Sequence, residues 1–414
     1  MPFIRILRSG DEPAVDRLLA ADRDRSGPVE SRVGEIVARV RRSGDAALLG
    51  YARRLDKLRR PIELTSREMR EGAEKAPAPV RRAIRDAARH IRSVARKQVP
   101  KGFRVTTAPG VVVEQRVTPL DRVGCYVPGG RHPLPSSLLM TAIPARAAGV
   151  PEVIVACPRP EPAVLAAAVE AGVSRLFQMG GAHAIAALAY GTRTVPRVDK
   201  IVGPGNQFVA AAKALVSRDC GIDFYAGPTE ILIVTDEGPA SWIAADLIAQ
   251  AEHDTEARAI FITSNRELAR QVEVEIGRQM PTDGPARRSL AAHGGIVVTR
   301  NETEAIQLAN RAAPEHLVCT NERIARAVRC AGAIFVGSHT AQVAGDYAIG
   351  SNHVLPTSGA ARYRGGLSAA DFVRLTSVQR LTANGLAALA PTIVTLARAE
   401  GLNAHAASIE VRLK

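Results

Sequence analysis

The sequence predicts an α/β protein with two similar α/β/α units, a helical arm before them and a tail after them. Two observations support this prediction: short aliphatic runs alternate with alanine-rich helical stretches, and they do so in two consecutive series. A third is the length of 414 residues, which exceeds the size at which one hydrophobic core keeps growing. We therefore expect an N-terminal arm at 1–104, α/β/α units at 105–229 and 230–356, and a C-terminal tail at 357–414.

The first hundred residues are rich in charge and in helix-forming residues. Apolar positions recur there at helical intervals, as at Val33, Ile36, Val37 and Val40. This spacing predicts a helical arm. From Val111 onward the pattern changes to short aliphatic runs, which predict strands.

Two series of aliphatic runs predict parallel sheets with right-handed crossovers, and therefore two Rossmann-like domains of similar architecture. The runs of the first series are 123–127, 153–156, 175–178 and 200–202, and those of the second are 231–234, 259–262, 295–298, 317–319 and 333–336. After about Pro356 the periodic strands stop. The stretch 386–399 predicts a closing helix.

The composition limits the class of protein. Hydrophobic residues make up 46% and aromatic residues 4%, which predicts aliphatic cores. The five cysteines are odd in number and lack C-x-x-C spacing, so we expect reduced thiols in a cytoplasmic protein. No signal-peptide core and no apolar run of about 18 residues occurs, so we expect no membrane partner.

The net charge of +14 raises the possibility of a basic nucleic-acid-binding protein without catalytic activity, which is the alternative from another class. In 81–92, however, the arginines alternate with Ala and Ile rather than with base-stacking aromatic residues. This pattern favours solvated helix faces and no nucleic-acid partner. A basic surface can also attract an anionic dinucleotide.

Candidate metal ligands begin with Gln250 and His253. Residues three apart on a helix lie one above the other, so an amide oxygen and an imidazole can converge there on one ion. Asp346, His353 and His405 add nitrogen and oxygen donors of the kind that bind zinc. On spacing alone, a glutamine and a histidine on a helix surface without a metal remain the alternative.

Three glycine-containing turns adjoin predicted strands, at 127–130, 179–186 and 202–206. Ligands of open α/β sheets collect at the carboxyl ends of strands, where helix N-termini offer N–H groups to phosphates. None of the turns is G-x-G-x-x-G, so purely structural turns remain the alternative.

Taken in order, these motifs resemble the histidinol dehydrogenase family. The matching segments are 126–130, 180–182, 200–206, 221–230, 246–254, 313–317, 345–347, 351–357 and 399–405. The resemblance implies an aldehyde-dehydrogenase-like fold, a dimerising C-terminal tail and a homodimer with shared active sites that acts on a small-molecule substrate. It also implies a zinc-dependent, NAD-dependent four-electron oxidation of L-histidinol to L-histidine through histidinal, in histidine biosynthesis.

The resemblance implies one Zn²⁺ per subunit. Its ligands would be Gln250, His253 and Asp346, together with His405 of the partner subunit. Only one of these four carries a charge, so the ion would keep about one net positive charge and favour an anionic oxygen nearby.

Glu315 and His316 match the acid–base pair of the family. An imidazole can accept the hydroxyl proton near neutral pH, so His316 is the predicted base for the alcohol step. Glu315 is the predicted base that activates water for the aldehyde step.

The resemblance also implies two sets of contacts. Those to the substrate are Thr229, Gln250, His253, His316, Asp346, His353, Glu400 and His405. Those to the dinucleotide are Tyr126, His183 and Asn206.

Three positions depart from the family pattern. Thr229 replaces the usual serine and keeps the hydroxyl, whereas His183 stands where glutamine is more usual. Gln342 replaces a common glutamate and removes a negative charge near the substrate. These departures leave one alternative within the fold, a paralogous zinc- and NAD-dependent dehydrogenase of another small polar alcohol, such as a sulfonated propanediol.

Overall fold

The computed structural model describes residues 3–20, 27–129, 133–225 and 227–414. In this part of the chain, the architecture consists of two six-stranded sheets with helices on their faces and a separate three-stranded sheet. The mixed α/β class and the parallel sheets are confirmed. The domain divisions stay a prediction.

The strands differ in length from two to nine residues. In chain order they are β1 (Arg5–Arg8), β2 (Glu63–Leu64), β3 (Phe103–Ala108), β4 (Val111–Pro119), β5 (Arg122–Tyr126), β6 (Glu152–Ala156), β7 (Arg175–Phe177), β8 (Lys200–Val202), β9 (Gly221–Ile222), β10 (Glu230–Val234), β11 (Arg258–Thr263), β12 (Gly295–Val298), β13 (His316–Cys319), β14 (Ala333–Val336) and β15 (Val373–Leu381).

The helices alternate with most of these strands. They are α1 (Glu12–Leu19), α2 (Gly27–Leu55), α3 (Ser66–Glu74), α4 (Ala78–Gln98), α5 (Pro135–Ala147), α6 (Pro162–Glu170), α7 (Gly181–Tyr190), α8 (Gln207–Val216), α9 (Ala240–Ala251), α10 (Arg266–Gln279), α11 (Ala286–His293), α12 (Glu302–Ala312), α13 (Glu322–Ala327), α14 (Gln342–Tyr347), α15 (Ala383–Ala399) and α16 (Asn403–Glu410). Within the described ranges, no helix has both the length and the apolar character needed to cross a membrane.

The first sheet has the strand order β2-β7-β6-β5-β8-β9, and its pairs are parallel except for β2 with β7. Helices α3 to α6 cover one face and α2, α7 and α8 cover the other. The central strands are therefore buried on both sides, which explains why they are continuous aliphatic runs.

The second sheet is parallel throughout, with the order β1-β12-β11-β10-β13-β14. Helices α9, α10 and α11 pack on one face, and α1, α12 and α13 on the other. All nine strands predicted from aliphatic runs are confirmed within a residue or two of their ends.

Three strands contradict the predicted arm and tail. The arm at 1–104 is not wholly helical, because β1 joins the second sheet and β2 joins the first. The prediction that strands stop after Pro356 is wrong, because β15 pairs with β4 along its full length. The reason is that β15, Val-Arg-Leu-Thr-Ser-Val-Gln-Arg-Leu, is a partly exposed antiparallel strand and carries no aliphatic run.

The five cysteines are free thiols, as the odd count and spacing predict. Cys125, Cys157 and Cys319 are buried in or directly after strands. Burial raises the pKa of the Cys125 thiol to about 12, so this thiol stays protonated and serves packing rather than nucleophilic chemistry.

Candidate active site

The predicted acid–base pair lies where β13 begins. Helix α12 ends at Ala313, which has a left-handed backbone with φ of 49°, and Pro314 then leads the chain into the strand. Because β10 and β13 are parallel neighbours with Ile231 opposite His316, the residues preceding both strands meet at one edge of the second sheet. Thr229 and Glu315 therefore lie side by side.

A chain of hydrogen bonds joins three of the predicted site residues. The side-chain amide of Gln250 donates to the Thr229 hydroxyl at 2.6 Å, and that hydroxyl donates to Oε2 of Glu315 at 2.6 Å. The backbone N–H of Glu230 donates to the same carboxyl oxygen at 2.8 Å. Helix α9 ends beside this edge, and its Gln250 is connected through the Thr229 hydroxyl to Glu315, the predicted base.

Within this chain of hydrogen bonds, the amide oxygen of Gln250 is the atom that lacks a hydrogen-bond partner. Gln250 is fully buried, and its Oε1 has no hydrogen-bond partner among the described residues. A buried acceptor without a partner carries a desolvation cost, which a bound cation can remove. The donor chemistry therefore fits a metal ligand at this position.

Burial changes the pKa of both members of the acid–base pair. It raises the pKa of Glu315 to about 8, helped by the charge of Asp346 and opposed by the Thr229 and Glu230 hydrogen bonds. It lowers the pKa of His316, an effect that Asp346 opposes. Near neutral pH, Glu315 can therefore both hold and release a proton, and His316 is neutral.

The tautomer of His316 follows from its partner. Its Nδ1 lies 3.0 Å from the carbonyl oxygen of Glu230, which can only accept, so Nδ1 carries the proton. The other ring nitrogen, Nε2, then has a free lone pair. A neutral imidazole in this state is suited to accept a proton from a substrate hydroxyl.

Asp346 lies on α14, in the field of His316 and His253. Burial raises the pKa of its carboxyl, whereas His316, a hydrogen bond from Gln342 and His253 lower it. The Gln342 amide donates to Oδ2 of Asp346 at 2.8 Å. The structure thus brings the predicted ligands His253 and Asp346 into one electrostatic cluster with the acid–base pair.

His353 is a partly buried, neutral member of this cluster. Its Nδ1 donates to the carbonyl oxygen of Asp346 at 3.0 Å, and its Nε2 lies 3.5 Å from the Ser137 hydroxyl. Burial lowers its pKa to about 4, helped by the neighbouring His316 and His253 and opposed by the hydrogen bond to the Asp346 backbone. Ser137 was not predicted, because its partner lies 216 positions away in the sequence.

His405 and Glu400 stay apart from the cluster within one chain. Both are exposed, and their side chains make no hydrogen bond or ion pair with the described residues. Over these same residues, no group of three or more His, Cys, Asp and Glu that could hold a metal ion occurs. The predicted ligand set, which uses one amide oxygen and takes one histidine from a second chain, stays a prediction.

The predicted dinucleotide loops lie at the carboxyl edge of the first sheet. Tyr126 ends β5, and its buried hydroxyl accepts the N–H of Gly181 at 3.0 Å. Asn206 caps α8, with its side-chain oxygen accepting two backbone N–H groups at 3.1 and 3.2 Å. Gly203 has φ of 116°, and a Cβ there would collide with the carbonyl oxygen of Tyr126, so this crossing requires glycine.

His183 is turned toward the helical arm. It is 1% exposed, its Nε2 lies 2.8 Å from Oδ2 of Asp56, and its ring stacks on Tyr51 at 5.8 Å between centroids. Asp56 also accepts the N–H of Gly180 at 3.0 Å. The contacts of Asp56 were not predicted from the sequence. A dinucleotide contact by His183 stays a prediction.

Comparison with known proteins agrees with the motif order. The sequence model of the family "Histidinol dehydrogenase" matches residues 20–413. Histidinol dehydrogenase of Brucella suis biovar 1 is 46% identical over 409 residues, covering 95% of each chain, and that of Geobacter sulfurreducens is 44% identical over 429 residues, covering 100% of each. The crystal structure of histidinol dehydrogenase from Elizabethkingia anophelis has a TM-score of 0.94 at 31% identity and covers 100% of this chain and 98% of that one. A family model that matches residues 20–413, together with relatives of about 45% identity over nearly the full length, shows that this chain belongs to the histidinol dehydrogenase family of oxidoreductases.

Proposed function

We propose that this enzyme carries out the zinc- and NAD-dependent four-electron oxidation of L-histidinol to L-histidine through histidinal. The observation that carries the proposal is the chain from Gln250 through Thr229 to Glu315. It joins an unpartnered buried oxygen, suited to a metal ion, to a carboxyl group with a pKa of about 8. An alcohol and aldehyde oxidation needs these two functions next to each other.

The proposed zinc ligands are Gln250, His253, Asp346 and the partner's His405. The side-chain oxygen of Gln250 is buried and available, and the Asp346 carboxylate lies in the field of His253. When bound, zinc would hold and polarise the substrate oxygen, and NAD would accept hydride.

The chain's own residues move the protons. In the first oxidation, Nε2 of His316 takes the hydroxyl proton of the alcohol, which leaves an aldehyde. In the second, Glu315 takes a proton from the water that adds to this aldehyde. The balanced reaction is L-histidinol, two NAD⁺ and one water giving L-histidine, two NADH and three protons.

A homodimer is supported by one face of the three-stranded sheet β15-β4-β3. Side chains alternate along strands, and the register places the odd-numbered residues on one face. The apolar members of this apolar sheet face are Phe103, Val105, Val111, Val113, Val117, Pro119, Val373, Leu375 and Leu381. Phe103 is 54% and Leu375 55% exposed, so a second copy of the chain is the proposed cover.

The test is an assay of NADH formation with purified protein. L-Histidinol should give two NADH per molecule oxidised, and L-histidinal one. A chelator should abolish turnover and Zn²⁺ should restore it, while circular dichroism shows that the fold is retained, since the α/β cores do not depend on the metal. NADH formation from other amino alcohols or diols, with none from L-histidinol, would contradict the proposed substrate.

A further inference from the structure

We propose that a cationic pocket at the carboxyl edge of the first sheet binds a phosphate group. The cationic pocket is defined by Lys57, Arg59, Arg60 and Arg159, and encloses about 170 Å³. The first three follow α2, and Arg159 follows β6, so the four charges come from two distant segments of the chain. Leu58, Asp56 and Gln178 complete the lining.

The four cations lack close ion-pair partners, although Arg60 lies in the field of the Glu68 carboxylate. Among the described residues, none of them forms an ion pair, whereas nearby Arg175 binds Glu63 at 2.6 Å. The only carboxylate in the lining is Asp56, and its Oδ2 already accepts from Gly180 and lies 2.8 Å from His183. Like charges held together repel, and a bound polyanion would remove that repulsion.

Backbone strain is concentrated at the same place. In the described ranges, four non-glycine residues have positive φ, and two of them, Lys57 at 57° and Arg159 at 55°, line the cationic pocket. The other two flank the candidate active site: Ala313 precedes Glu315, and Ser358 donates its N–H to Glu230. Strain of this kind clusters at ligand sites, because the surrounding structure holds the residues in a functional conformation.

Two helix N-termini of this sheet edge, those of α7 and α8, already have partners within the protein. At α7 the N–H groups of Gly180 and Gly181 are taken by Asp56 and Tyr126. At α8 the first free N–H groups are taken by the side chain of Asn206. These two helix ends therefore have fewer N–H groups to offer a phosphate, and the cationic pocket beside them supplies positive charge.

The cationic pocket is continuous with the predicted dinucleotide loops. A Cβ on Gly129 or on Gly180 would collide with Pro158, so the loops after β5, β6 and β7 pack directly on one another. Arg159 follows Pro158, and Gln178 stands two residues before Gly180. The phosphate group can thus belong to the dinucleotide of the proposed reaction, an assignment that rests on the proposed function, or to free phosphate or pyrophosphate.

Calorimetric titration of the full-length protein with pyrophosphate, in metal-free buffer, tests the proposal. The variant is Arg59→Gln/Arg159→Gln. The matched control, Arg53→Gln/Arg85→Gln, removes the same charge from exposed, unpaired positions on α2 and α4. We expect about tenfold weaker binding or more in the variant, the usual effect of losing a hydrogen bond to a charged group, and wild-type affinity in the control. Added salt should weaken the wild-type affinity.

Equal affinity in the variant and the control, or no pyrophosphate binding by the wild type, would overturn the proposal. The same variants then identify the source of the phosphate. A KM for NAD⁺ that rises with the loss of pyrophosphate binding, together with competition between the two ligands, assigns the pocket to the dinucleotide, whereas an unchanged KM assigns it to a free anion. The pyrophosphate titration needs no turnover, so failure of the proposed reaction does not affect its result.

Discussion

The hydroxyl of Thr229 donates a 2.6 Å hydrogen bond to the carboxyl group of Glu315. A hydroxyl has one proton, so toward the Gln250 amide it can only accept, and the direction of each bond in the chain is defined. The amide oxygen of Gln250 must then face away from Thr229, where it has no partner among the described residues. One hydroxyl therefore orients both the predicted base and a predicted metal ligand.

Removing this hydroxyl should impair catalysis. We expect Thr229→Val, which keeps the shape, to lower kcat/KM by about tenfold or more, because two hydrogen bonds are lost and Glu315 is left under-satisfied. Thr229→Ser, which keeps the hydroxyl, should stay close to wild type. Steady-state kinetics with L-histidinol decide the point, and wild-type activity in the valine variant would refute the orienting role.

The pKa of Glu315 predicts a pH-dependent stability. Because burial raises the folded-state pKa from 4.5 to about 8, the folded chain keeps this proton while the unfolded chain releases it. The contribution of Glu315 to stability is therefore present below about pH 4.5 and is lost as the pH rises to about 8. Glu315→Gln stays neutral, so the stability of this variant relative to wild type should increase from pH 5 to pH 8.

Urea unfolding of the metal-free proteins at a fixed concentration measures this difference. Glu35→Gln, at an exposed position on α2, is the control and should show no such trend. A difference between Glu315→Gln and wild type that does not change with pH would show that Glu315 is not held protonated by its surroundings.

Gln342 should control metal affinity through Asp346. Its amide donates to Oδ2 at 2.8 Å, and loss of a group that orients a ligand typically weakens metal binding by about 10- to 100-fold. Gln342→Ala should therefore release Zn²⁺ at lower chelator concentrations than wild type, as measured by elemental analysis after dialysis. Gln307→Ala, on the exposed side of α12, is the control. Equal metal retention in both variants would argue against Asp346 as a ligand.

Mixed dimers test the contribution of a second chain. His253→Ala and His405→Ala should each be inactive alone. When the two are unfolded and refolded together, crossed tails would place both defects in one site and none in the other, so about a quarter of wild-type activity should return. Absence of recovery in a sample shown by mass spectrometry to contain heterodimers would mean that His405 does not serve the other chain's site.

The apolar sheet face should hold the dimer together. Leu375→Asp places a charge on this face, and we expect monomers by analytical ultracentrifugation together with loss of activity. The control is Val274→Asp on α10, which is 67% exposed and lies outside the apolar sheet face. A dimeric Leu375→Asp protein would exclude this face as the interface.

The parallel strands were predictable because burial on both faces demands aliphatic residues, and a run such as Ile231–Val234 has few other interpretations. Short edge strands carry no such signal. β1 is the four residues Arg-Ile-Leu-Arg, and β2 has only two residues, so their pairing depends on the neighbours that they meet in the folded chain.

The candidate site also has features that depend on tertiary contacts and carry no local sequence signal. Glu315 and His316 were found through a motif, but their state depends on burial and on Glu230, whose position beside them follows from the pairing of β10 with β13. The contact between His183 and Asp56 spans 127 positions and has no local pattern. The order of motifs therefore suggested the candidate residues, and the tertiary structure determines their partners and charges.

The pairing of β1 with β12 also has a consequence for synthesis. Arg5 is opposite Gly295, so 290 positions separate the two partners. At roughly 5 to 20 residues per second, the ribosome needs about a quarter of a minute to a minute to bring β12 out after β1. Until then β1 has no strand to pair with. Once β12 has been synthesised, its backbone N–H and C=O groups on that side stay unpaired until β1 pairs with it. Closure of this sheet must therefore come late in synthesis or after it, so β1 stays unpaired for most of the time during which the chain is made.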